Sequence, residues 1–137
     1  MKKYPLRLER YFFTEQQVNA NPGFDQDDTV PSILDFFYNV QTVRIGGNDH
    51  EYGITAKVSL NHEQSQNPPY FFSISAFGII AANEDIDAAA VESMIETTGA
   101  QMLLGAIRER LSDMTARGPW GPIYLDFVPL PLTTTNK

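Results

Sequence analysis

Residue types able to do chemistry are sparse in this chain, and their spacing argues against most of it. The two histidines, His50 and His62, stand twelve positions apart in separate turn-like stretches. Zinc ligands must converge on one ion, and two histidines so placed read as solvated imidazoles. Asp25, Asp27 and Asp28 resemble part of a calcium loop. They lack its central glycine and closing bidentate glutamate. Glu84, Asp85 and Asp87 have the types of an acid–base pair, yet they precede an apolar helical stretch. Carboxylates there suit the positive end of a helix dipole. No serine sits in a Gly-x-Ser-x-Gly elbow. Gly46-Gly47 lacks the lysine and following helix of a phosphate loop. No catalytic group, metal ligand set or cofactor motif emerges, and the chain reads as a non-enzyme.

What must be positioned is therefore apolar and aromatic surface. The chain has 137 residues, 42% of them hydrophobic, which suits one domain over residues 1–137 with a modest core. It has no cysteine, which excludes a disulfide scaffold and a thiolate metal site and fits a reducing cytoplasm. The N-terminus shows no apolar signal region, and no apolar run is long enough for a bilayer. Net charge is −7, which disfavours nucleic acid and anionic membranes and favours basic polypeptide.

Alternation places a first strand over Leu6 to Phe13, with Leu6, Leu8 and Phe12 on one side. Residues 19–31, NANPGFDQDDTVP, form a long loop, and long ordered loops are often functional. A second strand runs from Ile33 to Ile45, and Gly46-Gly47-Asn48-Asp49 closes a hairpin. In the third strand Tyr52, Ile54, Ala56, Val58 and Leu60 share a face. Tyr70 to Ile80 is the fourth, and Phe71, Phe72, Phe77 and Ile79 predict partial cover on both its faces.

Asp87 to Arg117 is helical, capped by Asp87 or a neighbouring acid. Thr97-Thr98-Gly99 predicts a break or kink. Gly118 is placed to end the helix and Pro119 to prevent its continuation. Ile123, Leu125 and Phe127 then alternate as a short extended segment.

The fold class is α+β: a four-stranded antiparallel sheet packed with one long C-terminal helix. Leu103, Ile107, Leu111 and Met114 form the helix's apolar stripe, widened by Ala100, Met102 and Leu104. So wide a surface predicts self-association through this helix. Phe24 and Trp120 are the aromatics that no strand face claims.

The stretch GAQMLLGAIRERLSDMTARG, residues 99–118, resembles the long helix of the SecB protein-export chaperones. The shared marks are Arg108-Glu109, Met114, the Arg117-Gly118 stop, nearby Trp120 and the Leu125-to-Pro129 extension. LRLERYFFTEQQVNANP, residues 6–22, is similar to that family's first strand and the opening of its crossover loop. The resemblance implies a cytosolic holdase for unfolded or precursor polypeptides, assembled as a homotetramer, a dimer of dimers. Carried over by position, Val18, Pro22, Phe24 and Val30 would line a substrate groove with Trp120 beside it. Glu15 would lie on the sheet surface that faces the SecA motor. Leu103, Ile107, Leu111 and Met114 would form the oligomer seam.

Departures from the family shape the expectation. Phe72-Ser73-Ile74 carries no acid where the SecA-facing surface has its second one. The lid helix and SecA-binding tail are also missing, because the chain ends seven residues after Leu130. Peptide holding is thus better supported than SecA delivery, and a dedicated client such as an antitoxin stays open. The competing readings are an interaction module with one folded partner and a hot-dog ligand-binding or thioesterase domain. A hot-dog's helix comes early in the chain, whereas this one comes last.

Overall fold

The computed structural model describes residues 5–46 and 50–125. Four strands, β1 (Leu6–Ala20), β2 (Phe36–Arg44), β3 (Glu51–Leu60) and β4 (Tyr70–Ala82), make one antiparallel sheet in the order β1-β4-β3-β2. A helical stretch follows as α1 (Ala88–Met94), a π-helical turn (Ile95–Gly99) and α2 (Ala100–Thr115). The α+β architecture is the one the element order implies.

β2, β3 and β4 form a meander because their alternation is uninterrupted. Ile54, Ala56 and Val58 of β3 and Ile74, Ala76 and Ile80 of β4 are buried on the face that meets the helix. Gly46 takes φ +62°, as its place in a hairpin turn requires; Gly47, Asn48 and Asp49 lie outside the described residues. β2 is shorter than its pattern suggests. Ile33 makes only an isolated bridge to Gln66, and the ladder begins at Phe36.

β1 departs most from expectation. It continues to Ala20, and register shifts fall between Leu8 and Arg10 and between Phe13 and Glu15. Each inserted residue exchanges the faces of everything after it. Leu6 and Leu8 pair with Ala82 and Ile80 on the helix side, but Phe12 pairs with Phe77 on the outer face. Phe12 therefore does not share a side with Leu6 and Leu8; its ring packs on Phe77 at 5.7 Å. Tyr11 and Phe13 turn toward the helix side, edge to face at 6.0 Å. The second bulge turns Glu15 outward, where it accepts hydrogen bonds from Ser73 (3.0 Å) and Ser75 (3.2 Å) and pairs with Lys57 at 3.6 Å. The Ser73 hydrogen bond, then those of Ser75 and Lys57, hold its carboxyl below the usual range against an opposing push from burial.

The outer face of β4 is covered in part, as its sequence implies. Phe71, Phe77 and Ile79 are only half-buried. Phe12 shields Phe77, and His62 stacks on Phe71 at 4.9 Å.

Asp87 caps α1, its carboxylate accepting from the Ala89 N–H at 3.2 Å. The irregularity foreseen at Thr97-Thr98-Gly99 is the π turn. Thr97 Oγ1 donates to the Ser93 carbonyl at 2.9 Å and competes with regular helix bonding. A Cβ on Gly99 would stand 2.9 Å from Ile54 Cδ1, so glycine there lets the helix lie close on the sheet.

The apolar stripe of α2 is consumed within one chain. Leu103, Ile107 and Leu111 have no exposed surface, Ala100 and Leu104 are buried, and Met102 and Met114 pack partly against the same core. Of the residues expected at an oligomer seam, Leu103, Ile107 and Leu111 are thus covered within one chain, while Met114 keeps exposed surface. Periodicity reports that a stripe is buried, not what buries it. The exposed large apolar side chains lie elsewhere and include Phe37 and Val43 of β2, both on the outer sheet face.

The α-helix ends at Thr115, two residues short of Arg117. Gly118 does not adopt the left-handed geometry expected of a helix stop; Gly121 does, at φ +80°. Gly118 is needed for another reason. A Cβ there would run into the Tyr70 hydroxyl, which is buried against this turn. That hydroxyl accepts from the Trp120 N–H (3.1 Å) and faces the carbonyls of Gly121 (2.8 Å) and Thr115 (3.3 Å). Thr115 Oγ1 donates to the Leu111 carbonyl and accepts from the Ile123 N–H at 3.0 Å. Residues 121–125 are thereby held extended without joining a strand, and Phe127 lies outside the described residues.

These contacts set outcomes for substitutions at three positions. Leu103→Ala should lower unfolding free energy by about 2–5 kcal/mol in urea melts, and Leu103→Asp should prevent folding rather than dissociate an oligomer; a folded Leu103→Asp monomer would contradict the packing. Gly118→Ala should cost about 1–3 kcal/mol through overpacking, read by the same melts. Glu15→Gln should cost no more than about 1 kcal/mol at pH 7, as a partly exposed ion pair does. A depressed folded-state pKa stabilises above the unfolded value and is lost as pH falls through the folded one. Wild type and Glu15→Gln should therefore converge in stability at acid pH, and a gap that widens toward acid would refute the assignment.

Candidate functional site

The crossover from β1 to β2 spans residues 21–35 and crosses one end of the sheet, from beside Tyr70 to beside Leu60. So long a loop keeps its shape because it is bonded to the β3–β4 turn. Asp25 N–H donates to Asn67 Oδ1 at 2.8 Å, and Asn67 Nδ2 returns a bond to the Asp25 carbonyl at 3.0 Å. Asn67 adopts φ +47°, which asparagine tolerates better than most residues. Ser32 Oγ donates to the Asn67 carbonyl, and Asn21 bonds both Pro68 and Pro69. The acids are turned inward on the loop's own backbone. Asp25 Oδ1 accepts from Asp27 N–H, and Asp27 Oδ1 from the backbone and hydroxyl of Thr29. Those Thr29 bonds hold the Asp27 carboxyl below its ordinary pKa. Among the described residues no cluster of three or more histidine, cysteine or acidic side chains forms.

Phe24 and Trp120 meet, with ring centroids 5.3 Å apart. Trp120 Nε1 donates to the Asn21 carbonyl at 3.0 Å, while its backbone N–H is held by Tyr70. The two loop aromatics thus form one half-buried pair. Pro22 is exposed beside it. Val18 lies on the helix face of β1 against the core, and Val30 is half-buried in the turn closed by its N–H to the Asp27 carbonyl. Glu15 lies on the opposite face of the sheet from Val18.

A groove of about 520 Å³ opens along the helix side of β1. Tyr11 and Phe13 form one wall, Ala106, Arg110 and Ala116 another, and Pro122 and Tyr124 a third. Tyr124 is 72% exposed and Tyr11 46%. Arg110 spans the floor, donating from Nε to Gln16 Oε1 at 2.7 Å with its guanidinium 5.8 Å from the Phe13 ring centre. The extended segment links this groove to the loop pair: Trp120 stands at Asn21, and Tyr124 stands at Tyr11 and Phe13. β1 is also an edge strand, so one side of its backbone is unpaired within the sheet.

Tyr11, Phe13 and Tyr124 are not evident as site residues in the sequence. Consecutive Tyr11-Phe12-Phe13 suggests a strand buried on both faces, and nothing in residue type marks the bulge that points two of the three into a groove. The signal available was Tyr124, a large aromatic on the polar side of the alternation.

No helix among the described residues is long and apolar enough to cross a membrane. No sequence-family profile matches the chain, and no curated protein matches it. Solved structures do. The SecB-like chaperone Rv1957 of Mycobacterium tuberculosis, in complex with a ChAD peptide from the Rv1956 HigA1 antitoxin, superposes with a TM-score of 0.66 at 14% identity. The match covers 93% of this chain and 94% of that one. A protein of unknown function from Streptococcus agalactiae matches at a TM-score of 0.47 and 14% identity, over 89% and 97% of the two chains. The fold of this chain is similar to that of the SecB-like chaperones.

Proposed function

We propose that this protein is a SecB-like chaperone that holds unfolded polypeptide segments. The observation that carries the reading is the open groove beside β1, walled by exposed Tyr11 and Tyr124 and lying along an unpaired strand edge. An extended client offers main-chain bonds to such an edge and side chains to such a groove. Burial of apolar surface is non-directional, so binding is broad rather than sequence-specific. The Phe24–Trp120 pair extends the same strip toward Pro22, and the acidic loop favours basic segments.

The fold neighbour, in complex with an antitoxin peptide, supports polypeptide clients, with an antitoxin as one candidate. Delivery to SecA has less support. Glu15 lies on the outer sheet face but is engaged by Ser73, Ser75 and Lys57, and no second acid stands at Ser73 or Ile74. Tetramer formation rests on the resemblance alone, since the helix stripe that suggested it faces inward.

Anisotropy of a labelled, permanently unfolded protein tests the proposal. Each client side chain buried contributes about 1.5–3 kcal/mol, so several engaged together reach micromolar affinity. Tyr11→Ser with Tyr124→Ser should weaken binding about tenfold or more without altering the melting temperature, because both side chains are exposed. Phe24→Ala should weaken it less, since half that ring is already spent on Trp120. Absence of wild-type binding, or a double variant that binds as tightly as wild type, would overturn the reading.

A further inference from the structure

A second recess lies at the other edge of the sheet, where α1 and the π turn cross β2. It measures about 270 Å³. Tyr52 of β3 reaches it from below, paired across the ladder with Arg44 of β2. Tyr52 is only 4% exposed, and its hydroxyl has no hydrogen-bond partner among the described residues. A buried hydroxyl without a partner is costly, so this one is a feature to be accounted for. Above it stand Glu92 and Glu96, one helical turn apart. Arg44 Nη2 pairs with Glu92 at 3.2 Å. Glu96 makes no ion pair among the described residues. The π turn begins at Ile95, between the two acids, and such turns recur at functional sites.

We infer that this recess binds a protonated primary amine on an aliphatic stem. Among the described residues that line it, two carboxylates against one guanidinium leave a charge of −1, which matches one ammonium. An ammonium has three donors and no acceptor. The residues that line the recess carry three kinds of acceptor: the Glu96 carboxylate, the Thr42 hydroxyl and, beneath its surface, the unpartnered Tyr52 hydroxyl. Ile95 flanks them on the helix side and suits the methylene stem. An anion would face two carboxylates. A compact dication would find at most two carboxylates with a guanidinium beside them, short of the oxygen-rich shell such ions take. The amine is either a free alkylamine or a lysine side chain on a polypeptide.

Titration calorimetry with saturation-transfer NMR distinguishes these, using n-butylamine and Nα-acetyl-lysine amide, which share head group and stem. Both should bind saturably to the wild type at millimolar concentration, and the tighter of the two identifies the source. n-Butyltrimethylammonium, with the same charge and no N–H, should not bind. Glu96→Gln and Tyr52→Phe should each lose about tenfold in affinity, the loss of one charge-assisted hydrogen bond. Tyr52→Phe removes a hydroxyl without an internal partner, so its melting temperature should not fall. Glu96→Gln is an exposed change that keeps the test valid should Tyr52→Phe misfold. No saturable binding by wild type, equal affinity for the quaternary analogue, or wild-type affinity in Glu96→Gln would overturn the inference. None of these results depends on whether the β1 groove holds unfolded chains.

Discussion

The hydroxyl of Tyr70 joins three stretches of chain that are far apart in sequence. It stands at the start of β4, at the last turn of α2 and at the segment that carries Trp120. One oxygen with one hydrogen cannot fully satisfy two carbonyls and an N–H, so the helix end and Gly121 share it. Because the group is buried, loss of that geometry exposes no water to replace it. The direction in which the chain leaves the helix follows from this contact. So do the seat of Trp120 at the crossover loop and the position of Tyr124 over the groove. Gly118 is the steric condition for it all, since any side chain there would displace the phenol.

The bulges of β1 have a comparable influence on the sheet. A regular 15-residue strand at the edge would present alternate residues to one face throughout. Two inserted residues divide it into three runs with exchanged faces. Leu6 and Leu8 serve the core, Tyr11 and Phe13 the groove, and Glu15 the outer surface. One strand therefore supplies a core, a binding wall and a polar exterior within ten positions. Bulges also increase local twist and bend the edge.

Much of this was legible in the sequence because it depends on local period and local chemistry. The alternation of Tyr52 to Leu60 and the cap at Asp87 report short-range preferences that tertiary packing reinforces. Thr97-Thr98-Gly99 marked the site of the π turn for the same reason. The SecB-like outline was also recoverable, because helix, stop and first strand keep their order. The errors have a common origin. A stripe such as Leu103, Ile107 and Leu111 reveals that one helix face is dry, while the identity of the covering surface is a property of the assembled sheet. The inserted residues of β1 carry no special type, so parity counted along Leu6 to Phe12 fails without warning. Gly118 reads in the sequence as a helix stop, but its reason is a tyrosine nearly fifty positions away.

The seat of Trp120 has a spectroscopic consequence. It is the sole tryptophan of the chain, and its ring lies against Phe24 with its indole N–H bound to the Asn21 carbonyl. Indole emission depends on the polarity and hydrogen bonding around the ring, so the intrinsic fluorescence of this protein has one source, placed where the crossover loop meets the post-helix segment. A red shift signals that the loop has lifted from the indole, and quenching by a soluble collider measures how far. The molecule thus carries its own optical gauge of that junction, readable without a label.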